Sequence, residues 1–220
     1  GVLADVVKEK LSHGMSRQHL KVLLLGDYGC GRTSLLSRHA DGTFSDVHIT
    51  TIGAELKACH MDINGVELSF EFWDCGGNVH QYSSYNRDTN GVVVCYDISR
   101  KSSFDRCSGW LAEVAKFESE DVGVLLVGLK SDLEDQREVS LSEASRFAQS
   151  AGLKAIETSA KTRSNVKEAF DLLGQVMLQT IDPPPIIFTV VSVEPSGRSL
   201  HVMLTMLSGE SFGIIMDKRQ

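Results

Sequence analysis

Between Leu20 and Ile181, short apolar runs alternate with segments of helical period, and this alternation limits the possible folds more than any other feature of the chain. The runs are KVLLLG, ELKACHMDI, VELSFEFWD, GVVVCYDIS, VGVLLVGLK and KAIETSA. The helical segments are TSLLSRHA, FDRCSGWLAEVAKF, SLSEASRFAQSAG and NVKEAFDLLGQVMLQTI. Runs that are apolar at nearly every position must be covered on both faces, as the strands of parallel sheets are. The pattern predicts an α/β fold over residues 20–181: a six-stranded, mostly parallel sheet with helices on both faces. Asn64-Gly65, between two alternating runs, predicts a tight hairpin and hence one antiparallel edge strand.

The flanks have a different character. Residues 1–19 place Val2, Leu3, Val6, Val7 and Leu11 near helical spacing, which predicts a short amphipathic helix or a domain junction. Residues 182–185, Asp-Pro-Pro-Pro, stop the last helix and read as a stiff extended linker. Residues 186–220 hold three strand-like runs separated by P-S-G-R and L-S-G-E, a short C-terminal β-meander. Its last part, HVMLTMLSGESFGIIM, resembles the opening hairpin of a ubiquitin-like fold; the alternatives are strands packed on the main domain or the start of a truncated domain. The chain starts on glycine, which fits a piece of something longer.

Composition sets outer bounds. A net charge of -7 over 220 residues argues against nucleic acid as the main partner, because phosphate backbones select basic faces. The five cysteines are scattered singly and read as reduced thiols of a cytosolic protein. No apolar run approaches the roughly 20 residues that span a bilayer, and the N-terminus lacks a signal-peptide pattern.

Four motifs fall at the carboxyl ends of the expected strands, where open α/β sheets bind ligands. Gly26-x-x-x-x-Gly31-Arg32-Thr33 follows a strand and opens a helix, the context of a phosphate-binding loop. Glycines at 26, 29 and 31 let the backbone of Tyr28, Gly29, Cys30, Gly31, Arg32, Thr33 and Ser34 curl its N–H groups around a diphosphate, and the Thr33 hydroxyl would face Mg²⁺. In Phe72-Trp73-Asp74-Cys75-Gly76-Gly77, Asp74 can hold a metal through its water shell. The others are Gly128-Leu129-Lys130-Ser131-Asp132 and Glu157-Thr158-Ser159-Ala160-Lys161.

In order and spacing these motifs resemble the Ras superfamily of small GTPases, nearest its Rab branch, from about Leu20 to Gln179. The resemblance implies a P-loop NTPase fold, GTP and GDP as ligands with Mg²⁺, and slow hydrolysis of GTP. It places Thr51, in Thr50-Thr51-Ile52-Gly53, on Mg²⁺ and the γ-phosphate, so that Thr33, Thr51 and Asp74 form the metal set. Gly77 falls on the glycine of the family's W-D-x-x-G, and Phe44 on the aromatic that flanks the guanine. Lys130 would lie along the ring, Asp132 would accept from the guanine N1 and exocyclic amine, and Ala160, between Ser159 and Lys161, would offer its N–H to O6. Effectors and exchange or activating factors would engage two switch regions, 43–55 and 74–90. The expected location is cytoplasmic, with recruitment to endomembranes through partners or a larger polypeptide.

The departures from the family bear on activity. Arg32 stands where the family has lysine, exchanging a compact ammonium for a planar fork. Leu129 replaces the asparagine of N-K-x-D and removes side-chain contacts to the base and loop, which predicts faster nucleotide exchange. Asn78 stands in place of the glutamine that orients the attacking water, so Asn78, Arg32 and Thr51 are the expected but weakened hydrolytic set. The second switch is a few residues shorter than in Rabs, which leaves Gln81 as an alternative to Asn78. The chain ends Asp217-Lys218-Arg219-Gln220 without prenylation cysteines, so no lipid anchor is expected in it.

Other residues carry plainer readings. His39, His48, His60 and His80 lack metal-ligand spacing and read as structural or solvated, with His48 and His80 in the switches. Cys30 reads as small filler or as a thiol activated by a helix N-terminus. Trp110 with Leu111, Val114 and Phe117 reads as core, Leu133 to Glu138 as a solvated loop, and Tyr82 and Tyr85 as packing or partner-facing aromatics. Two other functions compete: a degenerate G domain that serves as a non-enzymatic interaction module, and an ATP-using P-loop enzyme, which Asp132 and the Ser-Ala-Lys loop disfavour.

Overall fold

The computed structural model describes residues 19–46, 54–63, 66–75, 86–117, 122–181, 188–196, 199–206 and 211–217. The expected N-terminal helix, the proline linker and the Asn64-Gly65 turn lie outside these. The chain divides into two compact units, Gly1–Asp182 and Pro183–Gln220.

In the first unit the order is β1 (His19–Gly26), α1 (Arg32–Ala40), β2 (Ala54–Ile63), β3 (Val66–Cys75), β4 (Gly91–Asp97), α2 (Lys101–Asp105), α3 (Cys107–Val114), β5 (Gly123–Leu129), α4 (Leu141–Ser150), β6 (Lys154–Glu157) and α5 (Val166–Ile181). The sheet has six strands in the order β2-β3-β1-β4-β5-β6. Every neighbouring pair is parallel except β2 with β3, which pair antiparallel up to Ile63 opposite Val66.

The continuous apolar run of β1 is explained by two cores, one on each side of the sheet. Val22 and Leu24 pack on one side with Leu35 and Leu36 of α1 and Phe170, Leu173 and Met177 of α5. Leu23 and Leu25 pack on the other with Phe104 of α2, Trp110 of α3 and Ala144 and Ala148 of α4. Alternate side chains of a strand point to opposite faces, so an inner strand needs an apolar residue at each position. The edge strand β2 instead mixes exposed with half-buried positions over most of its length.

One expected helix is divided. The segment from Phe104 to Phe117 forms two short helices that meet at Arg106, and the first begins three residues early, at Lys101. Serine side chains compete for the backbone there: Ser103 Oγ donates to the Arg100 carbonyl at 2.7 Å and Ser108 Oγ to that of Asp105 at 3.3 Å.

His39 is structural. Its ring stacks on Phe170 with centroids 3.7 Å apart, and its Nε2 lies 3.7 Å from Cys59 Sγ. Burial pushes its pKa down to about 4, so the ring is neutral at physiological pH. His60 is exposed on β2. Among the described residues no helix is long and apolar enough to cross a membrane.

The second unit is a three-stranded antiparallel meander, β7 (Phe188–Ser196), β8 (Ser199–Met206) and β9 (Ser211–Asp217), in that order. The β7–β8 register shifts between Val190 and Ser192.

Candidate functional site

The sheet order places a crevice at the carboxyl end of β1. The chain leaves β1 for α1 on one face and leaves β4 for α2 and α3 on the other, so the two connections diverge there.

The loop from β1 to α1 is shaped by its glycines. Gly26 has φ +150°, and a Cβ on it would lie 2.4 Å from the Cys95 carbonyl oxygen of β4, so no side chain fits. Gly31, at φ +111°, is the N-cap of α1, and no side chain among the described residues caps that helix end. Its backbone N–H groups thus face the crevice without side-chain competition, the arrangement that suits an anion. Tyr28 is 60% exposed, and its carbonyl accepts from Arg100 Nη2 at 2.9 Å. Cys30 is buried and burial pushes its thiol pKa up, which makes it filler rather than a nucleophile.

Arg32 turns inward. Its Nε donates to Asp74 Oδ1 at 2.9 Å, and its Nη1 donates to the carbonyls of Gly26 and, at 3.0 Å, Asp27. The other Asp74 oxygen accepts from the Thr33 hydroxyl. Asp74 is completely buried and Arg32 nearly so.

Beside the loop lies a cavity of about 170 Å³, large enough for a purine ring, lined by Gly31, Ser34, Phe44, Ser45, Asp46, Leu129, Lys130, Asp132, Leu133, Ala160 and Lys161. Lys130 Nζ donates to the Gly29 carbonyl at 3.0 Å and pairs with Asp97 at 2.6 Å, which lays its stem across the loop. Asp132 Oδ1 accepts from the buried Ser159 Oγ at 2.5 Å, which orients the carboxylate at the cavity mouth. Arg38 ties two walls together: its Nε donates to the Ala160 carbonyl and its Nη1 to that of Gly42, both at 2.6 Å, and its guanidinium sits 5.7 Å from the Phe44 ring. A carboxylate that accepts a pair of N–H groups, beside a lysine stem and an aromatic edge, selects a guanine face over an adenine one.

A model of the Ras family matches residues 21–179. The chain belongs to the Ras family. Its first unit is therefore a G domain, the nucleotide-binding switch module of that family, whose ligand class is guanine nucleotide.

Within this Ras-family frame the departures take physical form. Leu129 is buried, and its Cδ1 would stand 3.7 Å from a Cβ on Gly31, so an apolar contact occupies the junction between base loop and phosphate loop. Thr158 backs that junction, its N–H donating to the Gly128 carbonyl at 2.8 Å and its carbonyl accepting from Ser131 N–H at 3.0 Å. Its buried Oγ1 has no hydrogen-bond partner among the described residues. Nothing along the chain marks this orphan or the roles of Arg38 and Asp97, apart from the basic character of the last turn of α1 in the case of Arg38.

The metal expected from the sequence meets a difficulty in this Ras-family site. Of its three expected ligands, Thr33 and Asp74 are described, and both Asp74 oxygens already accept, one from Thr33 and one from the Arg32 guanidinium. That carboxylate is charge-balanced by a side chain and does not fit a divalent ion in the expected arrangement. Thr51, Gly77 and Asn78 lie outside the described residues, as do His48, His80, Gln81, Tyr82 and Tyr85.

Proposed function

We propose that this G domain is a Rab-like switch that binds GTP and GDP, hydrolyses GTP slowly and signals through its two switch regions to effectors and to exchange and activating factors in vesicle trafficking. It acts in the cytoplasm and reaches endomembranes through partners or a longer polypeptide. The observation that carries the reading is the base cavity, where Asp132, held by Ser159, shares one wall system with Lys130, Phe44 and Ala160. Hydrolysis is slow because Asn78 is too short to orient water as glutamine does and because Arg32 is engaged with Asp74. Mg²⁺ is left out of this reading for the same reason.

Equilibrium binding of fluorescent GDP, GTP and ATP tests it. Guanine nucleotides are expected to bind at micromolar concentration or tighter and ATP at least 100-fold more weakly, about 2.7 kcal/mol; absence of guanine-nucleotide binding sinks the proposal. Single-turnover GTP hydrolysis of Asn78→Gln is expected to be faster than that of the natural chain.

A second reading, an interaction module without turnover, is favoured by one observation: the Arg32–Asp74 pair closes the phosphate side on itself. A protein that binds GTP yet shows no hydrolysis over hours supports it.

A further inference from the structure

The geometry assigns to Arg32 the place of the site's cation: its guanidinium stands on Asp74 where a divalent metal ion would be held, and guanine nucleotide binds here without that ion. This rests on the nucleotide-binding reading above and extends it to the metal ion that would accompany the phosphates.

Three observations carry it. First, Arg32 is 6% exposed and Asp74 0%, and they meet at 2.9 Å. A buried pair of this kind stays intact because removing either member leaves a buried charge without compensation. Second, the guanidinium is clamped from the other side: Nη1 donates to the Gly26 and Asp27 carbonyls and lies 3.7 Å from Cys30 Sγ. Third, the contacts require arginine. Its Nε–H donates sideways from within the stem while Nη1 reaches onward, so one planar group touches the end of β1 and the end of β3 together. A lysine ammonium, a single point at the tip of its stem, reaches one of these places but not both in this geometry.

The consequences for a metal follow from charge and lone pairs. In a magnesium-dependent site the aspartate accepts from water on the ion. Here Asp74 Oδ1 accepts from the guanidinium and Oδ2 from the Thr33 hydroxyl. An incoming divalent ion would have to displace a group that cannot give up its proton, and would then sit beside that fixed positive charge. A diphosphate needs no such displacement. It meets the N-terminus of α1, which no side chain among the described residues caps, while the guanidinium stays on Asp74.

The test is the release of fluorescent GDP from the loaded full chain, chased with excess GDP in Mg²⁺ or in EDTA. The two rates are expected to agree within about 3-fold, whereas in Arg32→Lys chelation should accelerate release at least 10-fold. Chelator-sensitive release from the natural chain overturns the inference, and an Arg32→Lys protein as indifferent to EDTA as the natural one takes the role from Arg32 and also overturns it. Mn²⁺ resonance spectra of the GDP-loaded natural chain give a readout independent of the variant. The spectrum of manganese-GDP free in solution is expected, and one protein-held ion per nucleotide refutes the assignment. Failure to take up nucleotide in either condition overturns both this inference and the proposed function; metal-dependent retention overturns this one alone.

Discussion

The two sides of the proposed nucleotide site, base side and phosphate side, differ in what their side chains are bonded to. On the base side, Asp132, Lys130 and Arg38 bond to neighbouring loops and thereby hold open a cavity of about 170 Å³. On the phosphate side, Arg32, Thr33 and Asp74 bond to one another. The same helix, α1, serves both: Arg32 opens it and Arg38 lies in its last turn. The difference teaches that recognition and turnover are separable. Recognition needs a shaped, oriented wall, whereas turnover needs groups left available for charge that develops in the transition state.

The comparison can be broken most directly at Arg32. Arg32→Ala strands a fully buried carboxylate, and the G domain is expected to lose about 3 to 5 kcal/mol in urea unfolding. If it loses less than about 1 kcal/mol, the phosphate side is not closed on itself as described. On the base side, Asp132→Ala should weaken GDP by about 100-fold, roughly 2.7 kcal/mol, in equilibrium binding while leaving the urea midpoint nearly unchanged. A variant that binds GDP normally would remove the base side from the argument.

A third prediction acts on both sides at once, through the packing of α1. His39 titrates at about 4 in the fold against an ordinary 6.5, so between these values the unfolded chain binds the extra proton. Stability is then full above pH 6.5 and falls as pH drops toward 4, by about 2 to 3 kcal/mol, less than the full shift because the ring keeps some contact with water. His39→Phe should flatten that part of the curve in urea titrations at stepped pH. Leu129→Asn comes next: Leu129 Cδ1 lies near Gly31, so an amide there can donate to the phosphate loop in place of an apolar contact, and GDP release should slow by about 5-fold, near 1 kcal/mol. Arg38→Ala should have the smallest effect, speeding GDP release about 2- to 5-fold as the Phe44 and Ala160 walls part.

The sheet was legible because inner strands must be apolar on both faces: KVLLLG and GVVVCYD admit little else, and Asn64-Gly65 marked the one reversal of direction. That Lys130, Asp132, Ala160 and Lys161 line one cavity was legible in the motifs because each follows a strand end by a few positions. What was not legible is long-range direction. The exchange of lysine for arginine at position 32 reads, along the chain, as a change in phosphate contact, but Nε meets an aspartate 42 residues away. The orphaned Thr158 hydroxyl could not be read either, because it depends on which side chains the fold brings near it. The break at Arg106 came from serine hydroxyls that periodicity does not weigh.

At the root of the loop, a Cβ on Gly26 would strike the carbonyl oxygen of Cys95. That contact makes the first residue of the loop a fixed point between two central strands, so mutational drift at the site is channelled into side chains beyond it and leaves the backbone course alone. A lineage can in this way exchange one chemistry for another while its outline stays that of its ancestors. For this chain, the course of the loop is fixed at Gly26, and whether GTP is consumed has to be asked of Arg32 and its neighbours.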